Sequence, residues 1–158
     1  MAISATLKEF LDQQQVAFEL IPHPHTGSSM ETAEQAHVPG KRLAKAVIIR
    51  EAGKYSMVIV PSAQHVDLAV LRQHFGHGVE LATESELGTL FPDCAIGAVP
   101  PIGAAWGLDT YLDECLLDEQ EVFFEAGDHE DLVRVTGDQF RQLSGNASHG
   151  HYGHALET

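Results

Sequence analysis

The run Gly97-Ala98-Val99-Pro100-Pro101-Ile102-Gly103 constrains this chain more than any other stretch. Its two prolines remove amide donors and fix φ, and its two glycines admit backbone conformations closed to other residues. The run therefore cannot lie inside a helix or a central strand. It forms a rigid, uncharged loop. The remaining N–H groups, on Ala98, Val99, Ile102 and Gly103, either face an oxygen of a ligand or serve an ordinary tight connection.

On both sides of this loop the apolar residues fall into helix and strand periods. Leu7, Phe10 and Leu11 predict a helix over residues 4–14 with Ser4 as N-cap, and Val16 to Ile21 predict a strand that stops at Pro22. His23-Pro24-His25-Thr26-Gly27 reads as a loop whose histidines are not ligands. Ser28 and Glu31 have capping-box spacing, which predicts a helix over 29–37 ended by Val38-Pro39-Gly40. Ala44 to Arg50 and Tyr55 to Val60 form a hairpin across Ala52-Gly53, apolar enough to sit at the centre of a sheet. Helices follow at Asp67–Phe75 and Thr83–Leu90, then strands at Thr110–Asp113, Glu121–Glu125 and Asp131–Val135, and a closing helix at Thr136–Leu143. The order is that of a mixed α/β (α+β) sheet rather than a strict βαβ alternation.

A length of 158 residues suits one domain that buries roughly 70% of its unfolded surface without a metal or a disulfide. Residues 1–144 are read as that domain, and 145–158 as a mobile His/Gly-rich tail. Cys94 and Cys115 lack CxxC spacing, and the N-terminus lacks the pattern of a signal or transit peptide. Both thiols are therefore expected free, in a cytoplasmic protein. No apolar run approaches the ~20 residues of a membrane span. The formal charge of −14 opposes bulk duplex, so no DNA partner is expected. Five of the nine Lys and Arg residues, however, crowd into residues 41–54 as Lys41, Arg42, Lys45, Arg50 and Lys54. A local basic site of that kind predicts a small, end-on contact with a few phosphates.

Several residues carry possible chemistry. Lys45 enters an apolar strand between two alanines, where its ammonium either meets a phosphate or carbonyl or snorkels at the strand end. Ala126-Gly127-Asp128-His129 follows the apolar Val122-Phe123-Phe124, a place where a glycine turn delivers side chains to a site. Asp128 either favours a cationic amino group or tunes His129. His149, His151 and His154 have imidazoles suited to a divalent ion, but neighbouring sequence offers no cysteine or carboxylate pair to complete a shell, so no metal site and no cofactor are expected. The thiols have no adjacent base to activate them. Gly-x-Ser-x-Gly, His-Glu-x-x-His and Walker patterns are missing, which disfavours a covalent hydrolase or an ATP-using enzyme.

Leu43-Ala44-Lys45, Gly97-x-x-x-Pro101-x-Gly103 and Ala126-Gly127-x-His129, taken together, resemble the YbaK/prolyl-tRNA synthetase editing-domain family. Pro61 to Leu71, Leu81 to Leu87 and Phe91-Pro92-Asp93-Cys94 are similar to its pattern as well, so the match runs from about residue 16 to 143. The resemblance implies a mostly antiparallel sheet partly curled into a barrel, surrounded by short helices. It also implies a freestanding, metal-independent deacylase that hydrolyses the ester of a mischarged aminoacyl-tRNA carrying a small amino acid. Its partners would be the aminoacyl-tRNA 3′ end and an aminoacyl-tRNA synthetase. Lys45 and His129 match the family's catalytic positions, and Gly97, Pro101, Ile102, Gly103 and Gly127 its substrate-binding ones. A ribose hydroxyl of the substrate is implied to assist the attack. One rival reading is a module that binds tRNA ends or a small aminoacyl ligand without turnover; a second is a metal-responsive protein that uses the His-rich tail.

Overall fold

Ser4 starts the first helix as its spacing predicts, its hydroxyl accepting the Leu7 amide at the head of α1 (Ala5–Gln13). That hydroxyl also donates to Asp93 Oδ2 at 2.7 Å, and the Ser4 amide donates to Ala126 O at 2.8 Å. One cap residue thus ties the helix to two loops distant in sequence. In this computed structural model residues 3–24 and 29–155 are described. The expected Ser28–Glu31 capping box and the loop residues His25 to Gly27 lie outside them.

Gln15 takes a left-handed φ of 55°, which ends α1 and folds Val16 back so that its amide donates to Leu11 O at 3.1 Å. Val16 therefore packs in the core as a helix exit, and β1 spans only Glu19–Pro22, shorter than the apolar run suggested. After α2 (Ser29–Gln35) come the long hairpin strands β2 (Ala44–Glu51) and β3 (Lys54–Pro61), paired antiparallel from Ala44↔Pro61 to Glu51↔Lys54. A short β4 (Gln64–Val66), α3 (Leu68–Phe75), β5 (Glu80–Leu81) and α4 (Glu84–Leu90) lead to the Gly/Pro loop. Beyond it lie β6 (Asp109–Asp113), β7 (Glu121–Glu125), β8 (Asp131–Thr136) and α5 (Gly137–Ser144). Thr83 and Thr136 both form the expected capping boxes, with Glu86 and Gln139; each such cap is worth about 1 kcal/mol.

The tail does not stay loose. β9 (Ser148–Gly150) adds in parallel to β6, β10 (Gly153–Ala155) pairs with β4, and the ring of Tyr152 between them is only 2% exposed. The segment's glycine content hid partners that lie far away in sequence.

The described strands form three sheets ordered β1-β8-β7, β10-β4 and β5-β2-β3-β6-β9, with the hairpin inside the largest as expected. Five of the seven pairings are antiparallel. The sheets do not close into a barrel, but a parallel bridge from Leu43 to Phe123 joins the start of β2 to β7. Strand alternation splits the interior. Ala44, Ala46 and Ile48 face the main core with Leu7, Phe91, Ile102 and Phe124, whereas Val47 and Ile49 face a second cluster around Leu71 and Tyr152. Leu43 and Phe123 meet Ala33, Val38 and Leu132 in a third. No helix among the described residues is long and apolar enough to cross a membrane.

Candidate active site

Lys45 stands on β2 between Leu43 and Val47 of the same strand face, opposite Val60 on β3. This is the face turned away from the main core. Its side chain is half-buried, and burial pulls the ammonium below the usual lysine range. Among the described residues it has no ion pair. The rest of the basic cluster is largely neutralised: Arg42 pairs with Glu119 at 3.1 Å, Arg50 with Glu80 at 2.6 Å and Glu86 at 3.0 Å, and Lys54 with Asp109 at 2.5 Å. Of the five cations that made residues 41–54 look basic, Lys41 and Lys45 are the two without a carboxylate partner among the described residues. An anion reaching Lys45 would meet an ammonium that has lost part of its water and pairs with no carboxylate among the described residues, a setting that strengthens the contact.

Beyond the Leu43–Phe123 bridge, β2 continues to Lys45 and β7 to Glu125, two positions on in each strand. The chain then turns through Ala126, Gly127, Asp128 and His129. Asp128 Oδ1 accepts the amides of Glu130 and Asp131, both at 2.9 Å, and closes a tight turn. Burial alone would raise this carboxyl, but hydrogen bonds from the Glu130 amide and from the side chain and amide of Asp131 outweigh it and hold it below the usual range. Its role is thus to cap the turn that leaves His129 left-handed, with φ 61°.

The His129 ring reaches the Gly/Pro loop, where its Nε2–H donates to the Ile96 carbonyl at 2.5 Å. A carbonyl can only accept, so the neutral ring carries its proton on Nε2. Gly97, the next residue, has φ 84°, and a Cβ there would lie 3.2 Å from His129 Nε2. Glycine is required twice over, for the backbone sign and for the imidazole above it. Gly127 is drawn into the same knot: its carbonyl accepts the Ala95 amide at 2.7 Å, and a Cβ on it would meet Ser4 at 3.0 Å. The structure therefore brings Gly97, Gly127 and His129 together.

The far end of the loop is placed differently. Pro101, Ile102 and Gly103 are all buried; Ile102 packs into the main core, and Gly103 leaves room for the Thr110 side chain. The Ala98 amide donates to Ala95 O at 3.0 Å and the Ile102 amide to Pro100 O at 2.8 Å, so two of the four donors expected from the sequence are used inside the loop. The Val99 amide has no acceptor among the described residues, nor does that of Gly97, which sequence reasoning did not count.

Sequence reasoning also passed over a buried polar group beside this turn. Glu125, 6% exposed, accepts from Thr32 Oγ1 at 3.0 Å and lies 3.3 Å from His23 Nε2. Burial pushes its carboxyl up, partly offset by the histidines at 23 and 129. The available signal was an acid ending the apolar strand Val122-Phe123-Phe124 just before a glycine turn. A cavity of about 550 Å³ between α1, α5 and β9 is lined by none of the predicted site residues.

Cys94 is no nucleophile, since burial and then Asp93 push its thiol up to about 12. Alkylation by iodoacetamide near neutral pH is expected to leave Cys94 unmodified, as peptide mass mapping would show; rapid labelling would contradict this environment. His129→Ala is expected to lower kcat/KM by about 100-fold, the scale of a misplaced reacting group. His129→Asn, which tolerates left-handed backbone and keeps an N–H for Ile96, is expected to recover much of that loss.

Comparisons with known proteins bear on the fold and the family. A family model described as "aminoacyl-tRNA editing domain" matches residues 23–143. No curated protein matches the sequence. Among solved structures, a protein proposed as a trans-editing enzyme for prolyl-tRNA synthetase superposes with a TM-score of 0.82 at 24% identity, covering 96% of this chain and 97% of its own. A scaffold used for computational epitope grafting gives 0.83 at 21% identity, with 96% and 97% covered. A candidate signal transduction protein from Marinobacter aquaeolei VT8 gives 0.74 at 14%, with 96% of this chain covering 31% of that one. At these identities the structures speak for a shared fold. The family match spans most of the domain and includes Lys45, the Gly97 loop and His129, and on it the chain belongs to the aminoacyl-tRNA editing domain family.

Proposed function

We propose that this protein is a trans-editing deacylase that hydrolyses the ester of a mischarged aminoacyl-tRNA carrying a small amino acid. An aminoacyl ester is already activated, so the protein needs to hold the carbonyl, stabilise the oxyanion and admit one water. In this reading the Gly97 and Val99 amides receive the oxyanion, and Lys45 binds the terminal phosphate or the ester. Pro101, Ile102 and Gly103 anchor the loop from inside the core. The water oxygen bonds to the acyl carbon, the ester C–O bond breaks, and the ribose oxygen leaves with the proton the water gives up. The observation that carries the reading is the His129–Ile96 hydrogen bond, which holds the Gly97 turn, whose amide has no acceptor among the described residues.

One feature favours the rival reading of a module that only binds. His129 Nε2 is engaged with Ile96 and is not open to act on a water. Deacylation assays on a panel of mischarged tRNAs separate the two. Tests begin with tRNA for proline, because of the structural relative proposed to edit for prolyl-tRNA synthetase. Turnover well above spontaneous hydrolysis on at least one small aminoacyl ester is expected; saturable binding without turnover on every substrate would leave the binding module. Discrimination by one methylene is worth only ~1–3 kcal/mol, so the preferred amino acid and its nearest neighbour are expected to differ by roughly 10- to 200-fold.

A further inference from the structure

The histidine-rich segment lacks metal-binding partners nearby in sequence, but the fold supplies them. β9 runs parallel to β6 with Asp113 opposite Gly150, so the next residue, His151, arrives beside the end of β6. Cys115 sits in the 3-10 turn that follows Asp113. One ligand atom each from Asp113, Cys115 and His151 lie within 4.8 Å of one another.

The groups are arranged for a cation. Asp113 is fully buried, and its carboxylate is pinned by the Cys115 amide on Oδ1 at 3.0 Å and the Tyr152 amide on Oδ2 at 3.1 Å. Each oxygen keeps a second lone pair. His151 Nε2 lies 3.3 Å from Glu114 Oε2, and Nδ1 lies 3.9 Å from Asp113 Oδ1. With Nε2 beside Glu114, Nδ1 is the ring nitrogen on the Asp113 side, the carboxylate–imidazole relation that orients metal-binding histidines. Gln64 Nε2 donates to Cys115 Sγ at 3.5 Å, a bond that a ligating thiolate retains. Among the described residues no Lys or Arg pairs with Asp113 or Glu114; His151 alone approaches them.

The geometry points to a binding site for one borderline-soft divalent ion, zinc or cobalt, held by Asp113, Cys115 and His151, with Glu114 orienting the imidazole. The mixed sulfur, nitrogen and oxygen donors suit these ions better than magnesium or calcium. A fourth position remains for water. The ion would fasten the strands of residues 148–155 to the end of β6, and this inference does not depend on the editing reading.

Cobalt(II) titration of the full chain is expected to give a near-ultraviolet thiolate-to-cobalt charge-transfer band that saturates at one ion per chain. Cys115→Ser is expected to abolish the band, and His151→Ala and Glu114→Gln to weaken binding by about 10-fold or more. All three side chains are exposed, so these variants should fold. Zinc is expected to raise the Tm of the wild type and not that of Cys115→Ser. The proposal is overturned if no saturable band forms, if Cys115→Ser keeps it, or if His149→Ala removes binding while His151→Ala does not.

Discussion

Lys45→Ala is expected to lower kcat/KM for a mischarged tRNA by about 100- to 1000-fold, the scale of losing one preorganised charge-stabilising contact. That is about 2.7–4 kcal/mol of transition-state stabilisation. The fold should survive, because the side chain is half-buried at the start of β2 and makes no ion pair with any described residue. Lys45→Arg is expected to rescue little. A planar guanidinium between Leu43 and Val47 is bulkier than the ammonium and presents its donors in a fork. The check is steady-state deacylation kinetics alongside thermal unfolding. Activity within twofold of wild type in the alanine variant would remove Lys45 from the site.

Gly97→Ala is expected to be nearly as damaging, for a different reason. An L-residue at φ 84° costs roughly 1–2 kcal/mol, and here the new methyl also lies 3.2–3.3 Å from two atoms of the His129 ring. The ring must move, the bond to Ile96 lengthens, and the Gly97 turn that it holds is displaced. A fall of about 100-fold in kcat is expected, with a modest drop in Tm. Gly107→Ala provides the control. Gly107 also has a positive φ, 67°, but open space around it. It should lose stability by a similar amount and keep its activity. Equal activity losses in the two variants would mean that backbone strain, not the His129 contact, governs the effect.

Local chemistry made much of this molecule legible before any coordinates. Ser4, Thr83 and Thr136 cap the helices their spacing marked, and the Ala44–Val60 hairpin is the centre of its sheet, because these features depend on neighbours a few residues away. The motif order pointed to the right family. What stayed hidden depends on contacts between distant segments. Glycine-rich residues 148–155 become strands only because β6 and β4 offer them edges. The buried Glu125, His23 and Thr32 meet only once α2 and β7 are packed. The Gly97 and Gly103 ends of one short motif have opposite fates, one exposed beside an imidazole and the other enclosed against Thr110, and no periodicity in the sequence distinguishes them. The same is true of the basic cluster, in which Arg42, Arg50 and Lys54 are paired by Glu80, Glu86, Asp109 and Glu119 from elsewhere in the chain.

The central claim is that the Gly97 turn and Lys45 grip one acyl ester. A crystal structure with a non-hydrolysable aminoacyl-adenosine analogue tests it most directly. The account predicts the acyl oxygen within hydrogen-bond distance of the Gly97 or Val99 amide, with Lys45 Nζ on the ester or phosphate side of the same molecule. An analogue seated instead in the cavity between α1 and α5, with Lys45 and Gly97 untouched, would contradict it.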